Sequence, residues 1–354
     1  MRNERTTALA QTAAAAVLWG TSFPVISLGI KAGLDPISFA LLRFAIAAAI
    51  MIAICRASGR QLGSLLGSRA VWIIAFFNAV GFVCQFVGQS YTSASVASLL
   101  VNLSVVFAAV GGAVFLKERI GPTKAVGVVA ALAGTILLTT KGDLSAVAGG
   151  QLFGDALYLV AAVSWAGYIV YAKKTTDEKA WDPFALSASI VAGTAVFILP
   201  VALFAHWGTV FSTGAWEAIG YTVVFNTVIA FALYQSGLRY LTATSSAVVL
   251  MLEIVTAVAI SAAFLGEELN VFSWAGAALV LISILLVSGF EFGGRRSTVS
   301  QSQYMVLPRT RAEEKGKGGA YRSVPWQDDL VDHVDDAVGR LDVGLDDLGV
   351  VHVD

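Results

Sequence analysis

The sequence predicts an all-α membrane protein of ten transmembrane helices, built as a 5+5 inverted repeat with both termini cytoplasmic. Three observations predict it. Of 354 residues, 57% are hydrophobic and only 13% charged, with a mean hydropathy of +0.76; a soluble domain carries about 45–50% apolar and about 25% charged residues. Apolar stretches of helix length recur along the chain, and segments of the second half repeat segments of the first. So little polar surface cannot cover a soluble core of this size, which excludes a soluble globular enzyme.

A hydrocarbon core of about 30 Å needs about 20 residues at a rise of about 1.5 Å each. The spans expected are 10–30, 36–55, 70–91, 94–116 and 122–140, then 152–173, 184–206, 215–240, 243–265 and 271–290. Continuous apolar runs mean helices, because a barrel strand would alternate. The first span follows Arg2 and Arg5 as a signal peptide would, but it runs past Trp19 to Ile30, too long for a cleaved segment. The third carries Asn78, Gly81, Gln85 and Gly88 on one face, a stripe that lines a cavity or lets helices approach. The fourth has Ser95, Ser98 and Asn102 at similar steps, and the eighth offers Asn226, Tyr234 and Gln235.

Placement of the charges orients the bundle. With the N-terminus inside, inner segments hold 14 Lys and Arg and outer loops hold two, Lys31 and Lys141. The region 297–354 has six Lys/Arg and eleven Asp/Glu and no run long enough to span, which predicts an acidic, disordered cytosolic tail. The net charge of −1 argues against a nucleic-acid partner.

The halves match at nearly constant spacing. Gly88 and Tyr91 correspond to Gly237 and Tyr240, Phe115-Leu116-Lys117-Glu118 to Phe264-Leu265-Gly266-Glu267, and Gly127 to Gly276, all 149 residues apart. Upstream, Asp35-Pro36 matches Asp182-Pro183, and Trp19 matches Trp165. The domains expected are a first five-helix repeat over 10–140 and a second over 152–290. Five helices per copy is an odd number, so the second copy enters from the opposite side. Inverted repeats support alternating access around a midplane site.

Trp19-Gly20-x-x-Phe23, Pro36 and Arg43-Phe44 resemble the first two helices of the drug/metabolite transporter superfamily, in its EamA-type members. Tyr91-Thr92-Ser93-Ala94-Ser95, Leu252-Glu253 and the two Phe-Leu-x-Glu exits fit the same pattern, although Val105 and Ile254 stand where the family often has proline. Within the superfamily the chain is most similar to YddG-type exporters of aromatic amino acids. The resemblance implies a multi-pass inner-membrane exporter of small metabolites, aromatic or large apolar amino acids first. Open alternatives are another small metabolite or drug-like cation on the same fold, and a scaffold acting through its tail.

Candidate substrate-lining residues are Trp19 and Trp165, paired by the repeat, with Phe23, Asn78, Gln85, Ser98, Asn102, Tyr168 and Tyr234. Glu253 and Arg43 are ionisable groups within spans, expected to carry a coupling proton, to pair with each other or to meet a substrate's ammonium and carboxylate. No Walker, H-E-x-x-H or G-x-S-x-G motif occurs. Cys55, Cys84, His206, His333 and His352 form no metal-ligand spacing, so neither enzyme activity nor a cofactor is expected. The partners expected are a small-molecule substrate and the lipid bilayer; the sequence leaves oligomeric state open.

Overall fold

The computed structural model describes residues 2–88, 91, 100–143, 152–207, 213–265 and 269–293. The tail expected over 297–354 therefore lies outside the described residues, as does Ser98. Among the described residues all regular structure is helical. The helices are α1 (Arg2–Lys31), α2 (Pro36–Ala57), α3 (Arg69–Gly88), α4 (Ser104–Phe115), α5 (Pro122–Thr140), α6 (Leu152–Glu178) and α7 (Pro183–Ala202). Then come α8 (Thr213–Leu238), α9, in two segments Ala243–Leu250 and Leu252–Leu265, and α10 (Val271–Gly293). A single turn, Gly63–Leu66, precedes α3.

All but α4 are long and apolar enough to cross a membrane; the described part of that region is a shorter apolar helix, Leu100–Phe115. The chain is a multi-pass membrane protein. Two helix starts show how local sequence repeats as local structure. Asp35 caps α2, its carboxylate accepting from the Ile37 and Ser38 amides at 2.9 and 3.1 Å, and Asp182 caps α7, accepting from Ala185 at 2.8 Å. Each is followed by proline in the first turn, where its missing N–H costs nothing.

Packing follows the repeat. α1 lies against α8 and α3 against α6, an equivalent pair when the halves are exchanged; α2–α7, α4–α9 and α5–α10 each map onto themselves. Association inside a bilayer depends on close van der Waals contact, which small residues permit. A Cβ on Gly134 of α5 would lie 2.7 Å from the carbonyl of Gly276 on α10, and one on Gly20 of α1 would lie 2.5 Å from that of Glu253. These backbones touch because neither glycine carries a side chain.

The loops sort into two ends. At one, Glu118 accepts from the amides of Ala243 (2.5 Å) and Thr244 (3.2 Å) and from the Thr244 hydroxyl (2.9 Å), capping the start of α9. Nearby, Lys124 donates to Thr242 at 2.9 Å, and Arg60 pairs with Asp182 at 3.4 Å. At the other end Asn270 donates to the carbonyl of Lys141 at 2.7 Å. The basic loops thus share one end of the bundle.

Candidate functional site

The helical ladder of α8 is interrupted mid-span. Residues Val224–Ile229 form a π turn, a wider geometry that recurs at functional sites. Two side chains converge on its Asn226 carbonyl: the indole N–H of Trp19 donates at 2.8 Å and Nη2 of Arg43 at 3.0 Å. Nε of Arg43 donates to Thr227 Oγ1 at 2.7 Å, and that hydroxyl donates to the Thr222 carbonyl at 2.9 Å. The Asn226 amide ties the turn to α1, donating to the Leu18 carbonyl and to Thr21 Oγ1. Arg43 is 2% exposed. A charge so deep must be paired or hydrogen-bonded, and the π turn takes two of its N–H groups, with a hydroxyl and a backbone dipole.

The guanidinium also lies over two rings, 5.4 Å from the centre of Phe44 and 5.3 Å from that of Phe82. These open a closed circuit of aromatic contacts. Phe44 meets Phe82 (4.7 Å), Phe82 meets Trp165 (4.8 Å), Trp165 meets Tyr168 (6.1 Å), Tyr168 meets Phe231 (6.4 Å), and Phe231 returns to Phe44 (6.1 Å). Trp19 joins through Phe231 at 5.3 Å and Tyr234 at 5.4 Å, and Tyr234 stacks on Tyr168 at 6.0 Å. Offset and edge-to-face arrangements at these separations are the favourable ones for rings.

The structure thus brings Trp19, Trp165, Tyr168, Tyr234 and Arg43 into one cluster contributed by α1, α2, α6 and α8. Trp19 and Trp165 join it through Phe231, Tyr168 and Phe82. Asn78 sits elsewhere: it is wholly buried and its amide donates to Thr194 Oγ1 on α7 at 2.9 Å, a link between helices. Gly81 packs beneath the Trp165 indole, where a Cβ would lie 3.0 Å away. Gln85 is half-buried on α3 and Asn102 buried before α4. Phe23 lies on α1, its side chain outside the described residues.

Glu253, half-buried at the start of the second α9 segment, is near enough to Arg43 for an electrostatic interaction, but no ion pair joins them among the described residues. The hydrogen-bond acceptors of Arg43 come from α8, and Glu253 acts on it through space.

The sequence reading missed Phe44, Phe82, Phe231 and Thr227 as site residues and gave Asn226 no role. A signal existed for the rings: Phe82 and Phe231 are 149 residues apart, the spacing of the repeat itself. None existed for the Asn226 carbonyl, because its role depends on backbone geometry. Buried polar atoms also gather beside the rings. Gln235 donates to the Tyr168 hydroxyl at 3.1 Å, and the hydroxyls of Tyr234 and Ser246 face each other.

The model of the EamA-like transporter family matches this chain twice, over residues 6–140 and 152–289. The chain belongs to the EamA-like transporter family. An uncharacterized transporter of Archaeoglobus fulgidus is 30% identical over 77% of this chain and 94% of its own length. The transporter YyaM of Bacillus subtilis is 27% identical, over 76% and 89% of the two chains. The inner membrane transporter YedA of Escherichia coli is 25% identical, over 77% and 87%. A solved crystal structure superposes with a TM-score of 0.68 over 81% of this chain and 98% of its own, at 18% identity, which shows a shared fold. For an EamA-like transporter, a small-molecule substrate and a lipid bilayer are the expected partners. Among the described residues, no three His, Cys, Asp or Glu side chains gather as metal ligands would.

Proposed function

We propose that this EamA-like transporter is an inner-membrane exporter of aromatic or large apolar amino acids, secondary-active or facilitative. The observation that carries the reading is the circuit of aromatic rings, two of which, Phe44 and Phe82, lie against a buried guanidinium. The rings supply apolar and π contacts for a flat side chain, Arg43 supplies donors for a carboxylate, and Glu253 supplies a carboxylate for an ammonium or a coupling proton.

Alternating access follows from two five-helix repeats of opposite orientation rocking about this cluster, with both termini in the cytoplasm. Gathering of the basic loops at one end supports that orientation, and the name of the YedA relative supports the inner membrane. Purified protein in liposomes loaded with unlabelled tryptophan or phenylalanine is expected to accumulate the labelled amino acid by exchange. Accumulation of a small polar amino acid or a cationic drug instead would reassign the cargo.

A further inference from the structure

This inference rests on the reading that Arg43 meets a substrate carboxylate. We propose that the π turn of α8 is the positioning element of the site: the Asn226 carbonyl and the Thr227 hydroxyl determine which edge of the Arg43 guanidinium faces the substrate.

In a regular α-helix each interior carbonyl is taken by the amide four residues on. The π turn departs from that ladder at Val224–Ile229, and there one backbone oxygen, that of Asn226, accepts from two side chains. A single atom thereby fixes both the Trp19 indole, which belongs to the aromatic wall, and the guanidinium. Thr227 completes the arrangement. A hydroxyl has one proton and two lone pairs; its proton goes to the Thr222 carbonyl, which leaves a lone pair for Arg43 Nε.

The guanidinium is planar and rigid, so fixing Nε and Nη2 fixes the remainder. One edge is held by α8, and the guanidinium carbon lies over Phe44 and Phe82, whose rings sit together on one side of it. Nη1 makes no hydrogen bond among the described residues. The edge formed by Nη1 and the second proton of Nη2 is the one left for a bidentate contact with a carboxylate.

The arrangement has no counterpart in the first repeat. The residues equivalent to Asn226 and Thr227 are Phe77 and Asn78, in the regular helix α3, and at the spacing of Asp35 and Asp182 the equivalent of Arg43 is Ile190. The cluster, in which Trp19 matches Trp165 and Phe82 matches Phe231 between the halves, therefore carries one anion reader, so a bound amino acid has one polarity. Thr227 acts through Arg43 and is a positioning residue.

The test is competition. Phenylalanine and phenethylamine, which lacks the carboxylate, are titrated against labelled tryptophan counterflow in proteoliposomes of the full chain. The wild type is expected to prefer the acid. Thr227→Val keeps the side-chain shape and removes the hydroxyl; the preference for phenylalanine over phenethylamine is expected to fall about tenfold, the scale of one charge-assisted hydrogen bond. Thr227→Ser, which keeps the hydroxyl, is expected to restore it. Arg43→Lys gives a second reading should the valine variant fail to fold: one ammonium cannot hold both α8 acceptors and present a fork, so the same loss of preference is expected. A preference unchanged in Thr227→Val or Arg43→Lys, with tryptophan still carried, overturns the inference alone. A wild type that carries no aromatic amino acid overturns the underlying reading as well.

Discussion

Phe82 and Phe231 hold equivalent positions in α3 and α8, 149 residues apart, and each ring stands edge-on to the tryptophan of the opposite repeat. Phe82 meets Trp165 at 4.8 Å and 82°, and Phe231 meets Trp19 at 5.3 Å and 78°. Exchanging the halves of the chain exchanges the two pairs. The aromatic cluster therefore joins the two halves of the chain.

Truncating the tryptophans should separate binding from folding. Trp19→Ala and Trp165→Ala each remove a large ring from the cluster, worth about 0.5–1.5 kcal/mol per aromatic contact beyond its buried area. The expected outcome is a rise in the KM for aromatic substrates of about tenfold, with helical circular dichroism retained. Uptake of tryptophan and phenylalanine at wild-type KM in both variants would remove the rings from the binding role.

Glu253 tests energy coupling. If its carboxylate carries the coupled proton, Glu253→Gln, which cannot release one, makes flux independent of an imposed pH gradient while exchange at equal pH continues. The measurement is labelled amino-acid flux with and without the gradient. Wild-type flux that ignores the gradient makes the protein a facilitator and leaves Glu253 an electrostatic neighbour of Arg43.

Close backbone approach between α5 and α10 predicts intolerance at Gly134. A Cβ there meets the Gly276 carbonyl at 2.7 Å and Val280 at 2.9 Å, both within a packed helix. Gly134→Leu is expected to lower stability by about 1–3 kcal/mol, as overpacking does, read as a lower melting temperature in detergent. Gly220→Ala is the control: no atom lies within 4 Å of the added carbon, so stability is unchanged or slightly raised. Equal melting temperatures for both variants would deny the close contact its role.

Much of the fold was legible because a bilayer leaves few options. Spans such as 36–55 and 122–140 announce themselves by length and hydropathy, and Asp35-Pro36 and Asp182-Pro183 mark the same helix start twice. The site was legible in part. Trp19 and Trp165 are conspicuous as mid-span tryptophans at matching positions. Thr227 is not, because a threonine in an apolar helix usually bonds its own preceding turn, as this one does to the Thr222 carbonyl, and its second contact, with Arg43, comes from a residue 184 positions away. For Asn78 the spacing along α3 could not reveal that its amide nitrogen is held by Thr194, a partner 116 residues away, while its Oδ1 has no hydrogen-bond partner among the described residues.

The acidic region 297–354 lies beyond both segments matched by the family model. Its removal is therefore expected to leave transport intact, with KM within about twofold of the full chain, well under the tenfold that one 1.4 kcal/mol interaction represents. A protein acting as a scaffold through this region would lose its activity on deletion.

Counterflow of labelled tryptophan in proteoliposomes, comparing the wild type with a Trp19→Ala/Trp165→Ala double variant, bears most directly on the function proposed. Rapid accumulation by the wild type, saturable and competed by phenylalanine, with strong loss in the double variant, is the expected result. Wild-type accumulation no greater than in empty liposomes, or equal accumulation by both proteins, would contradict an aromatic amino-acid carrier built on this ring cluster.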